Sequence, residues 1–290
     1  MAEMISSTAN PLVKRVRALG DRKHRRREGA FVVQGIQPVW QAVEAGADIE
    51  VLIVAPGLLR AGGALDMVVA QETAGTRVAR VTDALFGRIA DREGPTGLAA
   101  IVRAVPAPLD SLVVQAGASA AKEAVSGMTR GAGGDGLFVA LHTAGNPGNV
   151  GTIVRTASAV GAAGVILIGP SADPYDPAAV KASMGALFTV SVVTAASDAE
   201  FLTWARSHGV AVAATSARAA TSCWDAQWRL PLALLLGSEG AGLPDDLLAS
   251  ADLQVSIPMT GTAESLNLAA AASILLYEVR RHTWMAPSPG

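Results

Sequence analysis

Cysteine is nearly absent: Cys223 is the single one among 290 residues. One thiol excludes an intramolecular disulfide and a multi-cysteine zinc site, and it fits a reducing cytosol. Aromatic residues are scarce at 4% while half the chain is apolar. Alanine, valine, leucine and glycine dominate, which favours an α/β protein with small-residue packing. No run reaches the roughly 18 unbroken apolar residues of a membrane-spanning helix. The longest candidate, Ala157 to Ile168, is broken by Gly161 and Gly164. Residues 1–30 are basic and polar and lack the apolar segment of a secretory signal, so neither export nor membrane association is expected. His24, His142, His208 and His282 are scattered without ligand spacing, and no metal is expected. No serine sits in G-x-S-x-G, and no glycine-rich loop ends in Gly-Lys-Ser/Thr.

A large excess of either charge is also missing, since the net charge is −2. The distribution is uneven, however. Lys14, Arg15, Arg17, Arg22, Lys23, Arg25, Arg26 and Arg27 crowd the first tenth of the chain, with Asp21 and Glu28 as nearby acids. Such a run is either a solvated helix surface or an arm that contacts nucleic-acid phosphates, where clustered cations release counterions. No aromatics are interleaved, so the second reading means phosphate contact and not base readout.

The order of apolar runs gives the organisation. Residues 10–20 are expected to be helical, followed by strand Phe31–Val33, helix Gln37–Glu44, strand Val51–Val54, a helix near Ala64–Gln71 and strand Val78–Val81. Thr82 can cap the helix holding Leu85 and Ile89, and Leu98–Val102 closes a small α/β layer domain over residues 1–105. Residues 106–134, rich in proline, alanine, serine and glycine, read as a linker. A second domain over 135–285 then alternates strands and helices, ending in a helix over Ser265–Arg281, with a frayed tail at 286–290. Its strands are uniformly apolar, as in a parallel sheet covered on both faces. The last helix carries Leu266, Leu268, Ala269, Ile274, Leu275, Leu276, Tyr277 and Val279 around nearly its whole circumference. Such a helix is buried on both sides, within the monomer or against another subunit.

Three polar loops each start from the end of an apolar strand. Asn146-Pro147-Gly148-Asn149-Val150-Gly151 opens a helix whose face Val150, Ile153, Val154, Ala157 and Val160 is apolar, with Arg155 nearly opposite and Asn149 placed to cap. The spacing is wrong for a dinucleotide fingerprint, and no acid ends the next strand. The second loop, Gly237-Ser238-Glu239-Gly240-Ala241-Gly242, brings backbone amides close together around one carboxylate. In the third, Ser256 to Asn267, Ser265 is placed to cap the last helix, and Asn267 then falls in its first turn. Three such loops in one domain suggest a site built from loops on a rigid scaffold.

In order and spacing, these loops resemble the motifs of the SpoU-type RNA 2′-O-ribose methyltransferases of the SPOUT superfamily. The matching text is N-P-G-N-V-G-T-I-V-R-T-A, then L-L-L-G-S-E-G-A-G-L, then V-S-I-P-M-T-G-T-A-E-S-L-N-L-A-A-A. Residues 5–103 are similar, less specifically, to the ribosomal-protein-L30e-like domain that precedes many rRNA-directed members. The resemblance implies a parallel sheet with a deep C-terminal trefoil knot, a rare exception to ordinary chain topology. It implies S-adenosyl-L-methionine as cofactor, held by Ala214, Thr215, Gly237, Ile257, Met259 and Leu266. It implies an active constellation of Asn149, Arg155, Glu239, Ser265 and Asn267, and an obligate homodimer in which Arg155 can come from the partner. The expected activity is methylation of large-subunit rRNA in the cytosol, as housekeeping or for antibiotic resistance. A tRNA enzyme of the same family is the near alternative, and a non-catalytic RNA-binding protein with this fold the distant one. One departure stands out: many members carry an acid just before the first motif, where this chain has Thr143-Ala144-Gly145.

Overall fold

The computed structural model describes residues 4–90, 94–105, 107–112 and 136–285. The expected linker from residue 113 onward, and the tail 286–290, lie outside them. The first elements are α1 (Pro11–Ala18), α2 (Arg22–Glu28), β1 (Ala30–Gln34), α3 (Ile36–Glu44), β2 (Ile49–Val54), α4 (Gly62–Thr73), β3 (Val78–Arg80), α5 (Asp83–Ile89), β4 (Leu98–Arg103) and the short β5 (Ala107–Pro108). There follow β6 (Leu137–His142), α6 (Pro147–Ala159), β7 (Gly164–Ile168), α7 (Pro177–Ser183), β8 (Ser191–Ala195), α8 (Asp198–Ser207), β9 (Ala211–Thr215), β10 (Thr221–Ser222), β11 (Leu232–Leu236), α9 (Asp245–Ala249), β12 (Leu253–Ser256) and α10 (Leu268–Met285). Among the described residues no helix is long and apolar enough to cross a membrane.

The chain forms two compact units. The first holds the residues up to Val105 together with Asp173–Phe188. Its sheet has the order β1-β4-β2-β3, with β4 antiparallel to both β1 and β2. Asn10 accepts from the amide of Leu12 at 2.9 Å and Pro11 opens α1, so a polar cap and a fixed φ start the helix together. A separate helix, α2, carries the later part of the basic run; Asp21 caps it and left-handed Gly29 ends it. Thr82 caps α5 through the Leu85 amide, as expected from the sequence. One face of the sheet buries Val13, Val16, Ile53, Phe86 and Ile101. The other buries Phe31, Leu52, Leu98 and Val102, and Val180 and Tyr175 of the 173–188 segment pack there. That segment was expected in the second domain, but it completes the core of the first.

The second unit holds Pro106–Ala172 and the chain from Thr189 onward. Its eight strands run in the order β10-β12-β9-β11-β6-β7-β8-β5, and every pairing is parallel. Phe138, Ala140, Ala233 and Leu235 point to a face packed by Phe201 and Trp204 of α8. On α6, Val150, Ile153, Val154 and Ala157 are all buried, as the helical spacing predicts. Beside it, α10 packs against α6 and β11. Neither β5 nor β10 was foreseen, because each is two residues long and has no apolar run to betray it. The first of these draws residues 107–108 of the expected linker into the sheet beside β8.

Candidate active site

Because β12, β9, β11 and β6 are parallel neighbours, their C-terminal ends share one edge. The register pairs Leu235 with Ala214, Val255 with Thr215, and Leu236 with Leu141. Ala214, Thr215, Gly237 and Ile257 therefore reach that edge at nearly one level, with all three polar loops leaving from it. In open parallel sheets this edge, beyond the strand C-termini, is where ligands bind.

The loops are stitched together by side chains. The amide of Asn149 donates to the Glu239 carboxylate. The Oδ1 of Asn149 accepts from Nδ2 of Asn267 at 3.2 Å. In turn, Oδ1 of Asn267 accepts from the backbone amides of Ala269 and Ala270 at 2.9 and 3.3 Å. One residue from each loop thus forms a chain, Glu239 to Asn149 to Asn267, anchored on a helix start. Two capping expectations need correction. Asn267, not Ser265, caps α10, so the helix opens at Leu268; exposed Ser265 belongs to the loop before it. Asn146, not Asn149, caps α6, accepting from the amides of Gly148 and Asn149 at 2.8 and 3.3 Å. Pro147 at the first helical position was the available signal for it. With the cap supplied by its neighbour, the side chain of Asn149 is released to bridge the other two loops.

The second loop is closed on itself. Ser238 and Gly242 exchange backbone hydrogen bonds of 3.2 and 3.0 Å. A Cβ on Gly237 would lie 2.2 Å from the carbonyl carbon of Gly242, so no side chain fits there. The first loop, which lacks the familial acid, is anchored by backbone instead. Thr143, left-handed at φ 49°, donates its amide to the Ile168 carbonyl at 3.0 Å, and the Ala144 carbonyl accepts from Ala172 at 2.7 Å. Such a conformation is uncommon outside glycine and is held here by its surroundings. Met259 and Leu266 expose 38% and 39% of their surface on the third loop, an apolar lining beside the polar chain. The close backbone of the glycine cradle and these apolar side chains fit a nucleoside-bearing cofactor held mainly by main-chain groups. Among the described residues no cluster of His, Cys, Asp and Glu could hold a metal ion.

The geometry separates Arg155 from this group. It lies six positions beyond Asn149, about 120° around α6, and it is exposed, with no ion pair or side-chain hydrogen bond to any described residue. The exposed positions of α10 form a stripe of Ala270, Ile274, Tyr277, Arg281 and Trp284, spaced four and three apart. The expectation that α10 is covered all round is therefore not met within one chain: Ile274, Tyr277 and Trp284 expose 42, 57 and 59%. Its opposite face is buried through Leu268, Ala272, Leu275, Leu276 and Val279. Buried Arg280 of α10 also donates to the carbonyls of Val160 and Gly161 at 2.6 and 2.7 Å, which fixes the C-terminal end of α6. Sequence reading missed this clamp.

The SpoU rRNA Methylase family matches residues 136–277, and the MRM3-like substrate binding domain matches residues 10–100. A 23S rRNA (uridine(2479)-2′-O)-methyltransferase of Streptomyces viridochromogenes is 32% identical over 91% of this chain and 86% of its own length. The chain belongs to the SpoU rRNA methylase family. Among solved structures, an AdoMet-bound rRNA methyltransferase from Sinorhizobium meliloti superposes with a TM-score of 0.82 at 33% identity, covering 97% of this chain and 98% of that one. The SpoU methyltransferase AviRb of Streptomyces viridochromogenes, in complex with AdoMet, gives 0.81 at 30% identity, with 96 and 100% covered.

The basic run of this SpoU family member lies in the stretch matched as substrate-binding, but its members are not equivalent. Arg25 is buried and donates to Asp173, Asp176 and the carbonyls of Leu19 and Gly20 at 2.7 to 3.1 Å. It is structural, contrary to its expected phosphate contact. Arg15 pairs with Glu28 at 2.9 Å and Glu50 at 2.7 Å, and Arg27 pairs with Glu28 at 3.2 Å. The Glu28 carboxyl is held below the usual carboxylate range, first by the hydrogen bond from Arg15 and against the effect of partial burial. Lys14, Arg17, Arg22, Lys23 and Arg26 stay on the exposed surface. The acids that remove Arg15 and Arg25 from the arm come from Glu50, Asp173 and Asp176, far along the sequence.

Proposed function

We propose that this chain methylates a ribose 2′-hydroxyl of large-subunit rRNA with S-adenosylmethionine as donor. The observation that carries this reading is the Glu239–Asn149–Asn267 chain at the shared edge of the parallel strands, next to the Gly237 cradle. Ala214, Thr215, Gly237, Ile257, Met259 and Leu266 are the residues that would hold the cofactor. When bound, it supplies an electrophilic methyl group on a positively charged sulfur. The protein's part is then alignment, which can lower a barrier by several kcal/mol. Asn149 and Asn267 hold each other's amides in fixed directions, and with Ser265 they orient the ribose. Glu239 fixes the second loop to the first. Arg155 grips an RNA phosphate and stabilises charge developing on the ribose oxygen, since a guanidinium stays protonated and is a poor base.

Arg155 is exposed and makes no side-chain hydrogen bond or ion pair with its own chain's cluster among the described residues, which supports a site completed by a second subunit. The exposed stripe Ile274, Tyr277 and Trp284 supports a homodimer built on α10. The strand order supports the threaded C-terminus of this family, because β11 lies between β9 and β6 while β12 returns to the far side of β9. The end-to-end match to an rRNA enzyme, including the substrate-binding part, favours rRNA over tRNA. An rRNA substrate favours work in the cytosol.

The test is transfer of a labelled methyl group to 23S rRNA and to tRNA, offered separately, with mapping of the modified ribose. Arg155→Ala should lower the rate by roughly 100- to 1000-fold, as for loss of one transition-state donor, and leave donor affinity in calorimetry nearly unchanged. Loss of donor binding in that variant overturns the role given to Arg155, and methylation of tRNA alone overturns the substrate.

A further inference from the structure

Within the first unit, Arg17 of α1, Arg88 of α5 and Lys181 of α7 converge on one cleft of 190 Å³. They come from three separate elements, two of them far apart in sequence. Among the described residues no acidic side chain lines the cleft. None of the three makes an ion pair or side-chain hydrogen bond to a described residue, whereas Arg15, Arg25 and Arg27 of the same basic run are all held by carboxylates. Three cations in one concave wall focus a positive field and draw in an anion.

Apart from Gln34, the rest of the wall is apolar. Val16, Ile89 and Val180 are buried and Val32 is half-buried, so each shows the cleft only an edge. Gln34 stands among them, its amide donating to the Ile89 carbonyl at 3.2 Å. An anion alone would have no use for such a wall. A ligand with one phosphate and one flat, weakly hydrated group would occupy both halves.

We propose that this cleft receives one unpaired nucleotide of the RNA substrate, with its phosphate on Arg17, Arg88 and Lys181 and its base against Val16, Val32, Ile89 and Val180. The proposal rests on the reading of this chain as an RNA enzyme. A duplex keeps its bases stacked inside and offers backbone only, which leaves the apolar wall empty, while loops and bulges splay bases outward. Among the described residues no aromatic ring lines the cleft, so the contact positions the RNA without reading its sequence. The basic run thus contributes Arg17 to this cleft, joined by two cations that no reading of the first thirty residues could supply.

The experiment uses the full chain and a labelled single-stranded oligoribonucleotide, a duplex of equal length, and uridine monophosphate as competitor. The variant Arg17→Ala/Arg88→Ala/Lys181→Ala alters only exposed side chains. Each single-strand phosphate contact contributes about 0.7 to the slope of log affinity against log salt, so the variant's slope should fall by about 2. Between about 50 and 200 mM salt, the wild type should then weaken about 16-fold more than the variant. The KM for an rRNA fragment should rise, with kcat at saturation and donor affinity unchanged. Val32→Trp, which fills the cleft and keeps its charges, should weaken single-strand binding without changing the slope; if it misfolds, the charge variant decides. An unchanged slope in the triple variant, preference for duplex, or binding of the free monophosphate as tightly as the strand each overturns the proposal. If the wild type methylates no RNA yet the variant loses its slope, the enzymatic reading falls and the cleft assignment stands; methylation with an unchanged slope means the reverse.

Discussion

Asn267 does two jobs that can be separated by single atoms. Its Oδ1 accepts from the amides of Ala269 and Ala270, and its Nδ2 donates to Asn149. Asn267→Ala removes both. Loss of the cap costs about 1 kcal/mol, which lowers Tm by about 2–4 °C for a domain of this size. Asn267→Asp keeps an acceptor for both amides and places a negative charge at a helix N-terminus, where it is favoured. It cannot donate to Asn149, and it sets a second carboxylate beside the chain that already ends on Glu239. A lost hydrogen bond of about 1 kcal/mol corresponds to roughly fivefold in rate, and the added repulsion makes that a lower bound. The Asp variant keeps the cap and gains a favourable charge at the helix N-terminus, so it should melt closer to wild type than the Ala variant does, and it should transfer methyl groups at least roughly fivefold more slowly. Thermal melts by circular dichroism and labelled-methyl incorporation measure the two effects independently. Full activity in the Asp variant would show the Asn149 link to be idle, and an unshifted melt in the Ala variant would show that Asn267 is not the cap.

Gly237→Ala forces a methyl group to within 2.2 Å of the Gly242 backbone, so the second loop must open at a cost of about 1–3 kcal/mol; calorimetry with S-adenosylmethionine should show weakened uptake, and undiminished affinity would remove this loop from the donor site. Arg25→Ala leaves Asp173 and Asp176 without their cation and should destabilise the first unit by about 3 kcal/mol, the low end for a broken buried pair because Asp176 keeps 29% exposure; denaturant melts following that unit test it, and a change under 1 kcal/mol by the same scale would mean the cluster is loosely held. Glu28, whose carboxyl is held below its ordinary 4.5, adds stability above that value that is lost as pH falls through its lowered folded value. Glu28→Gln should lower Tm at neutral pH and flatten the fall in stability below pH 4.5; parallel acid profiles for variant and wild type would refute the assignment.

The alternation of apolar runs was enough to place the longer strands and helices of both units, because burial on two faces leaves continuous hydrophobic stretches. The loops of the candidate site were legible for the same reason: each polar loop stands out between an apolar strand end and the next element. Local detail was less readable. Asn146 and Asn149 are both good caps by composition, and only Pro147 tells them apart. Arg25 looks like its neighbours in sequence, since the acids that bury it sit 148 and 151 residues away. The apolar girdle of α10 predicts cover on every side, yet Ile274, Tyr277 and Trp284 stay exposed among the described residues. Two-residue strands such as β5 and β10 carry no periodicity at all.

The path of the polypeptide between β7 and β8 has a practical consequence. The chain leaves the methyltransferase unit after Ala172, contributes Tyr175, Val180 and the two aspartates to the substrate-binding unit, and returns at Thr189. A gene truncated after codon 105 would encode a module deprived of its own counterions and part of its hydrophobic filling. The complementary fragment would carry a sticky orphan loop. Swapping target specificity between relatives by grafting amino-terminal modules therefore requires that the 173–188 insert travel with them.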